Sequence, residues 1–176
     1  HIYTYTRKMA ERAVAVLEFS SGHPQLAFLS NFYAQDVRIA DDQFPDDVMY
    51  HSLEAYFQAQ KYAGRVDARD IKQHNFAGPQ VTPMQAKRRG GKRGIGMTAE
   101  DGDAQARRVR VMRAALAKKF AHPQLRVRLL QTGDAVLVER PRFPDAFWGK
   151  KKNGEGRNML GTLLMELRAN MREGER

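Results

Sequence analysis

The sequence contains no cysteine and no long uninterrupted run of apolar residues. The missing cysteine excludes disulfides, thiolate nucleophiles, iron–sulfur clusters and cysteine-based zinc sites. A membrane-spanning helix needs about 18 or more consecutive apolar residues, and no stretch of this chain approaches that length. We therefore expect an intracellular, cytoplasmic protein that does not enter a membrane.

Metal-binding and nucleotide-binding motifs are missing as well. The five histidines form no H-E-x-x-H pair, so neither a structural nor a catalytic metal is expected. There is no G-x-x-x-x-G-K-S/T loop, and the dinucleotide pattern fails because Met159 stands where a third glycine should follow Gly154 and Gly156. No G-x-S-x-G elbow supports serine acyl transfer. The sequence thus indicates no metal and no organic cofactor.

The length and composition fit one globular domain. A chain of 176 residues can bury roughly two thirds of its unfolded surface in a single core. Its apolar share of 42% and charged share of 28% are ordinary for such a domain. We assign residues 13–172 to the domain and residues 1–12 to an N-terminal extension or a cloning remnant, with Met9 as a candidate natural start.

Basic residues exceed acidic ones, and the excess is clustered. Thirty Lys and Arg against 20 Asp and Glu give a net charge of +10. Such clusters either bind phosphate-bearing partners or form an ordinary solvated surface. The clusters are Lys87, Arg88, Arg89, Lys92 and Arg93; Arg107, Arg108, Arg110 and Arg113; and Lys150, Lys151 and Lys152.

Hydrophobic periodicity predicts an α+β fold, mainly helical with a small β-sheet, because strands and helices do not alternate regularly. Strands are predicted over 14–19 and 135–139, and residues 37–50 are predicted to form a small hairpin. Helices are predicted to begin after the cap Ser52 and to cover 68–75, 83–89, 103–120 and 124–131, with a last helix from residue 159. Asp67 and Asn158 are further candidate caps, and Gly133 is expected to stop a helix.

Glu54 lies in an aromatic segment, residues 50–62, that contains very few charges. In the first turn of a helix a carboxylate is stabilised by the helix dipole. Apolar surroundings would instead raise its pKa toward the range in which it exchanges protons at neutral pH. Both roles, helix stabiliser and catalyst, remain open at this stage.

The loop before the last helix contains the only tryptophan, Trp148, and a nearby carboxylate, Asp145. The loop is basic and contains glycine, and the helix start that follows presents free backbone amides suited to phosphate. Trp148 either stacks on a nucleobase or fills the core, and Asp145 either acts as a carboxylate beside it or forms a turn. The spacing does not choose between these alternatives.

The chain contains five ordered blocks, at residues 28–33, 52–61, 112–120, 130–133 and 147–161, spread over about residues 14–168. Together these blocks resemble the NADAR family of YbiA-like N-glycosidases. The resemblance implies an α+β, mainly helical fold and an enzyme that hydrolyses the bond between a ribose carbon and a nitrogen. It also implies a phosphate-bearing substrate, either a phosphoribosylamino-pyrimidine intermediate of riboflavin synthesis or ADP-ribosylated guanine in nucleic acid.

The resemblance also assigns site residues. Glu54 matches the glutamate of the family's Ser-x-Glu-x-x-Phe helix block, which implies that it stabilises an oxocarbenium-like transition state or positions water. Asp145, just before the Phe-Trp-Gly block, is the second catalytic candidate. The implied substrate-binding residues are Ser30, Asn31, Phe32, Phe57, Lys61, Trp148, Gly149 and Asn158.

Two positions depart from the family pattern. Relatives usually have Gly-Arg after the third helix and Asp-Trp before the long one, whereas this chain has Gly90-Gly91 and Asp103-Ala104. Lys92 or Arg93 can replace the lost arginine, and the lost tryptophan removes an aromatic wall. These departures keep open an alternative function, a non-catalytic module that binds ADP-ribose or nucleic acid through the same pocket.

Overall fold

Six α-helices, two short 3₁₀ helices and four short strands form the described part of the protein in the computed structural model. The structure describes residues 14–91, 104–141 and 145–174. The α+β, mainly helical class is confirmed. The helices are α1 Leu53–Ala59, α2 Ala68–Asn75, α3 Pro83–Arg89, α4 Ala104–Phe120, α5 Pro123–Gln131 and α6 Met159–Glu173. The strands are β1 Val16–Phe19, β2 Ile39–Ala40, β3 Met49–Tyr50 and β4 Val136–Glu139.

The four strands make two separate pairs. β2 and β3 are antiparallel, with Ile39 opposite Tyr50, which confirms the predicted hairpin. β1 and β4 are parallel, with Val16 opposite Val136 and Phe19 opposite Glu139. This parallel pairing joins strands from opposite ends of the chain, and it brings the end of β4 into the interior.

The helix ends follow local sequence signals, with two exceptions. Ser52 caps α1 by accepting a hydrogen bond from the amide of Ala55 at 3.1 Å. Gly133 adopts a φ of 59°, as expected after α5. The predicted cap at Asp67 is wrong, because its carboxylate binds the Arg65 guanidinium instead of the helix amides. Asn158 precedes α6, but its side chain does not cap that helix.

α1 lies at the centre of the molecule, and every one of its residues is buried. It packs against α3 and α4, while α6 packs against β4. Phe57 on α1 contacts Trp148, so α1 lies close to the loop that precedes α6, where Trp148 joins the core. The packing of apolar surface around α1 therefore buries Glu54 and Gln58, which lie on that same helix.

A buried ion pair connects the hairpin to the helices. Lys72 on α2 lies 2.9 Å from Asp41 at the end of β2, and both side chains are fully buried. Asp41 also accepts hydrogen bonds from Tyr50 and Gln60, each at 2.8 Å. Because a buried charge must be paired, this network ties the hairpin to α1 and α2.

Three sequence-based assignments fall outside the described residues: the extension at 1–12, the substitute cations Lys92 and Arg93, and Asp103 before the long helix. Within the described ranges, no helix is both long and apolar enough to cross a membrane.

Candidate active site

Glu54 lies in the first turn of α1 and is only 4% exposed. Its backbone amide donates to the carbonyl of Asn31 at 3.1 Å, which fixes the start of the helix against the segment 30–32. One turn later, Gln58 donates from Nε2 to Glu54 Oε1 at 2.8 Å. Glu54 is therefore both a first-turn residue and a buried carboxyl, so its position in the helix is compatible with the catalytic role, which stays a prediction.

The surroundings of Glu54 act on its pKa in opposite directions. Burial raises the pKa, because the charged form loses its water. The Gln58 hydrogen bond, the positive charges of Lys87 and Lys61, and the Asn31 side chain all favour the ionised form. Burial is the larger effect, so the pKa lies above its ordinary value. A carboxyl in this condition is suited to acid–base chemistry near neutral pH.

The segment from Ser30 to Phe32 lies beneath the start of α1. The buried ammonium of Lys119 donates to the Ser30 carbonyl at 2.8 Å, and Ser30 Oγ accepts from the Phe32 amide at 3.2 Å. Burial, followed by the nearby charge of Arg128, lowers the pKa of Lys119 to about 7. Asn31 Oδ1 is buried and has no hydrogen-bond partner among the described residues. The backbone of this segment is thus held in place, while the Asn31 side-chain oxygen can still accept a hydrogen bond.

Aromatic rings form one wall beside Glu54. Phe57 and Trp148 meet edge to face, with ring centroids 5.7 Å apart and planes at 88°. Phe147 meets Trp148 in the same way at 4.8 Å. Trp148 is 7% exposed and belongs to the core, so it fills the core and also lines the region next to α1.

Three cations surround the same region. Lys61 donates from Nζ to the carbonyl of Gly90 at 2.7 Å and lies 6.0 Å from the Phe57 ring centroid. Burial lowers the pKa of Lys61; the charges of Arg108 and Lys87 act in the same direction, and Glu54 opposes them. Lys61, Lys87 and Arg108 are therefore close enough to interact electrostatically. This positive group fits an anionic part of a ligand.

The loop from residue 145 to 158 positions the remaining predicted residues. Asp145 Oδ1 accepts from the amides of Phe147 at 3.1 Å and Trp148 at 3.0 Å, so Asp145 forms a turn as well as carrying a charge. Gly149 lies against β4: a Cβ there would be 2.8 Å from the Glu139 carbonyl. Asn158 donates to the Leu137 carbonyl at 2.8 Å and accepts from the Glu139 amide at 3.0 Å. Its side chain therefore fixes β4, and its contact with substrate remains a prediction.

Sequence reasoning missed Glu139, the last residue of β4. It is 9% exposed, and its Oε2 has no hydrogen-bond partner within the residues that the structure describes. Burial raises its pKa to about 7; Asp145 and Glu54 add to this rise and Lys87 opposes it. A glutamate at the end of an apolar strand carries no local signal, because the parallel pairing with β1 is what buries it.

Gln58, Lys87 and Arg108 were not assigned to the site either, although signals for them exist. Gln58 lies four residues after Glu54, the spacing of neighbours on a helix. Lys87 and Arg108 belong to two of the basic clusters. Their proximity to Glu54 and Lys61 depends on how α3 and α4 pack against α1. Among the described residues no group of three or more His, Asp or Glu could hold a metal ion.

Comparisons with known proteins show which proteins this chain is similar to in sequence and in fold. The family model of the NADAR domain matches residues 18–172. N-glycosidase YbiA of Shigella flexneri is 36% identical over 154 residues, which cover 87% of this chain and 86% of that protein. The riboflavin biosynthesis protein PYRR of Zea mays is 36% identical over 150 residues, which cover 80% of this chain and 22% of that protein. The NMR structure of Escherichia coli YbiA matches with a TM-score of 0.72 and 33% identity, covering 96% of this chain and 92% of the other.

Proposed function

Because the chain belongs to the NADAR domain family, we propose that it hydrolyses the ribosyl–nitrogen bond of a phosphate-bearing substrate. The protein is a hydrolase that acts on N-glycosyl bonds, like the N-glycosidases it resembles along most of their length. We further propose that the N-glycosyl bond is a ribosyl–nitrogen bond, that the substrate carries phosphate, and that the residues described below bind and cleave it.

The main support for this proposal is the buried carboxyl group of Glu54. Cleaving a ribosyl–nitrogen bond builds positive charge on the ribose ring, and a carboxylate held beside the anomeric carbon stabilises that charge or positions the attacking water. Glu54 is buried, its position is fixed through its own amide, and it is flanked by Gln58 and Asn31. In such surroundings, away from water, its charge acts more strongly than at a surface.

Unsatisfied acceptors near Glu54 support a ribose as ligand. Asn31 Oδ1 and Gln58 Oε1 are buried and have no partner in the described part of the chain. A buried acceptor without a donor costs about 1–3 kcal/mol, and a bound ligand with hydroxyl groups would remove that cost. The hydroxyls of a ribose provide such donors.

The aromatic wall and the cations support the two ends of the substrate. Phe57 and Trp148 offer apolar surface for a flat base or pyrimidine leaving group. Lys61, Lys87 and Arg108 offer positive charge for a phosphate. Phe32, with the Lys87 ammonium 5.4 Å from its ring centroid, links these cations to the segment that carries Asn31.

Two substrates fit this description. A phosphoribosylamino-pyrimidine agrees with the named function of the maize relative, which is riboflavin biosynthesis. ADP-ribosylated guanine in nucleic acid agrees with the net charge of +10. Both contain a ribose carbon bound to nitrogen and both carry phosphate, so the same hydrolysis of a ribosyl–nitrogen bond would act on either. The N-glycosidase name of a relative favours an enzyme over the alternative binding module.

The decisive experiment incubates the full chain with each substrate and measures the release of ribose phosphate or ADP-ribose. We expect turnover of one of them, and we expect Glu54→Gln to lower kcat by roughly 10²-fold or more. Glu166→Gln is the matched control, since Glu166 is an exposed α6 residue whose side chain pairs with Arg113. Full activity in Glu54→Gln would exclude the role given to Glu54, and tight binding without turnover would instead support the binding module.

A further inference from the structure

Glu139 has a buried carboxyl for which the mechanism above has no use. Its backbone is fixed from both sides: its amide donates to Asn158 Oδ1 at 3.0 Å, and its carbonyl accepts from the Lys150 amide at 2.9 Å. Gly149 packs against the same carbonyl. The side chain therefore projects from a rigid strand end, and its Oε2 meets no donor among the described residues.

The charged groups around Glu139 disfavour its ionised form. Asp145 on the following loop and Glu54 on α1 are both negative, and Lys87 on α3 is the cation that opposes them. Burial acts in the same direction as the two acids, and together they raise the pKa of Glu139 to about 7. A carboxyl without a donor, beside two other acids, keeps its proton more readily than one that is paired.

Glu54 is also buried, and burial raises its pKa too, but its neighbours favour the ionised form. The Gln58 amide donates to it at 2.8 Å, and Lys87 and Lys61 are the nearby charges that act on it. Both carboxyls are buried, but among the described residues only Glu54 receives a hydrogen-bond donor and the attraction of two cations. Two nearby carboxyls with such different surroundings are suited to the separate roles of base and acid.

We propose that Glu139 is the general acid that protonates the leaving nitrogen, while Glu54 acts in its ionised form on the ribose side. This inference rests on the proposed N-glycosidase function. It adds a catalytic residue on β4 to the two carboxylates taken from the sequence. Asp145 then serves to hold the proton on Glu139 through its negative charge and to shape the loop that carries Trp148.

The step balances in atoms and electrons. The bond between the anomeric carbon and nitrogen breaks, its electron pair stays on nitrogen, and that nitrogen takes the proton of Glu139. Water adds its oxygen to the anomeric carbon and gives a proton to the Glu54 carboxylate. Exchange with solvent then moves one proton from Glu54 back to Glu139, which restores both groups. No oxidant, reductant or metal enters the reaction.

The test is the pH dependence of kcat/KM for Glu139→Gln, measured on whichever of the two proposed substrates the wild-type chain cleaves. A general acid makes the wild-type rate fall as pH rises through about 7. We expect Glu139→Gln to lower kcat/KM by roughly 10²–10⁴-fold and to abolish this alkaline fall. Glu166→Gln, an exposed residue with the same change, should keep both the rate and the pH profile. An alkaline fall that persists in Glu139→Gln overturns the assignment.

A second substrate separates acid catalysis from a structural role. Nicotinamide mononucleotide carries a ribose phosphate on a pyridinium nitrogen, which leaves as neutral nicotinamide without needing a proton. Where the wild type cleaves it, we expect Glu139→Gln to stay within about threefold of wild type and Glu54→Gln to be inactive. If Glu139→Gln loses the same factor in kcat/KM on both substrates, the proposal is overturned. If the wild type does not cleave nicotinamide mononucleotide, the pH profile alone decides.

The two proposals fail in different ways. A wild-type chain that cleaves neither proposed substrate contradicts the proposed function. A wild-type chain that cleaves one of them while Glu139→Gln remains as fast contradicts only the role of Glu139. Thermal unfolding of each variant shows whether a lost activity reflects a lost fold.

Discussion

The candidate site contains buried polar atoms that have no hydrogen-bond partner among the described residues. Asn31 Oδ1, Gln58 Oε1 and Glu139 Oε2 each lack a hydrogen-bond partner in the described ranges, and all three are acceptors. Leaving such an atom unpaired costs about 1–3 kcal/mol of folding free energy. Groups arranged to meet a substrate rather than one another commonly carry this cost in enzymes.

Replacing Glu139 should therefore stabilise the protein in a pH-dependent way. The pKa of Glu139 rises from 4.5 in the unfolded chain to about 7 in the folded one. Between these values the folded state holds a proton that the unfolded state has lost, so stability falls as pH rises and stays lower above pH 7. We expect the gain in unfolding free energy of Glu139→Gln to be larger at pH 8 than at pH 4 by about 3 kcal/mol.

Chemical denaturation at the two pH values measures this difference. Glu166→Gln, at an exposed position, is expected to give the same small effect at both. An equal effect of Glu139→Gln at pH 8 and pH 4 would mean that its carboxyl ionises normally in the folded protein. A stabilised Glu139→Gln that is also inactive would separate catalysis from folding at a single residue.

The contact between α6 and β4 decides where Glu139 lies. Asn158 takes a left-handed conformation, with φ at 51°, and its side chain spans Leu137 and Glu139. In the first turn of α6, Gly161 lies directly against the Leu137 carbonyl. Glycine is required here by close approach, because any side chain would meet backbone.

Gly161→Ala tests this contact. Its Cβ would overlap the Leu137 carbonyl oxygen and lie 2.6 Å from Asn158 Nδ2. We expect a loss of about 2 kcal/mol in unfolding free energy, because rigid backbone must move to accept the methyl group. We also expect lower kcat, since β4 carries Glu139.

Gly22→Ala is the matched control for this change. No heavy atom lies within 4 Å of a Cβ built at Gly22, so its stability should stay within about 0.5 kcal/mol of wild type. Denaturant unfolding of both variants measures the difference. Equal stabilities would contradict the close packing of α6 on β4.

Across the whole molecule, the positive charges fall into two groups: a local group near Glu54, and a general group of cations spread over the exposed surface. Lys61, Lys87 and Arg108 act near Glu54. Other cations, such as Lys152, are exposed on the loop before α6. A small phosphorylated substrate would interact mainly with the local group, whereas a nucleic acid would contact the general one as well.

Salt dependence separates these two substrate classes. Raising the salt from about 50 to 200 mM should increase KM for a small phosphorylated riboside only a few-fold, because few charges are screened. A nucleic-acid substrate that neutralises several phosphates should bind roughly a hundredfold more weakly over the same range. Lys87→Gln should raise KM in either case, and a KM indifferent to salt would exclude a nucleic-acid substrate.

Lys152→Gln is the control that distinguishes the two outcomes. It removes the same charge from an exposed loop position. A small substrate should not respond to it, whereas a nucleic-acid substrate should bind more weakly and show a smaller salt slope. The measurement is KM as a function of salt for the wild type and both lysine variants.

Much of the fold was predictable because its signals are local. Helices α2 and α3 have the predicted bounds, Ser52 caps α1, and Gly133 follows α5 with a positive φ. Caps, left-handed turn residues and hydrophobic periodicity act over a few residues, so the chain displays them directly. Asp67 was predicted wrongly because a neighbouring arginine, Arg65, competes for its carboxylate.

The sequence by itself determined the α+β class and the family, and it predicted Glu54 as a catalytic residue, since all three depend on residue patterns within short blocks. Only the tertiary structure decided that Glu139 is buried beside Glu54 and Asp145, and that Lys61, Lys87 and Arg108 share one region. The physical reason is that the pKa of a buried carboxyl depends on groups brought together from distant parts of the chain. The parallel pairing of β1 with β4, and the packing of α3 and α4 on α1, create that proximity.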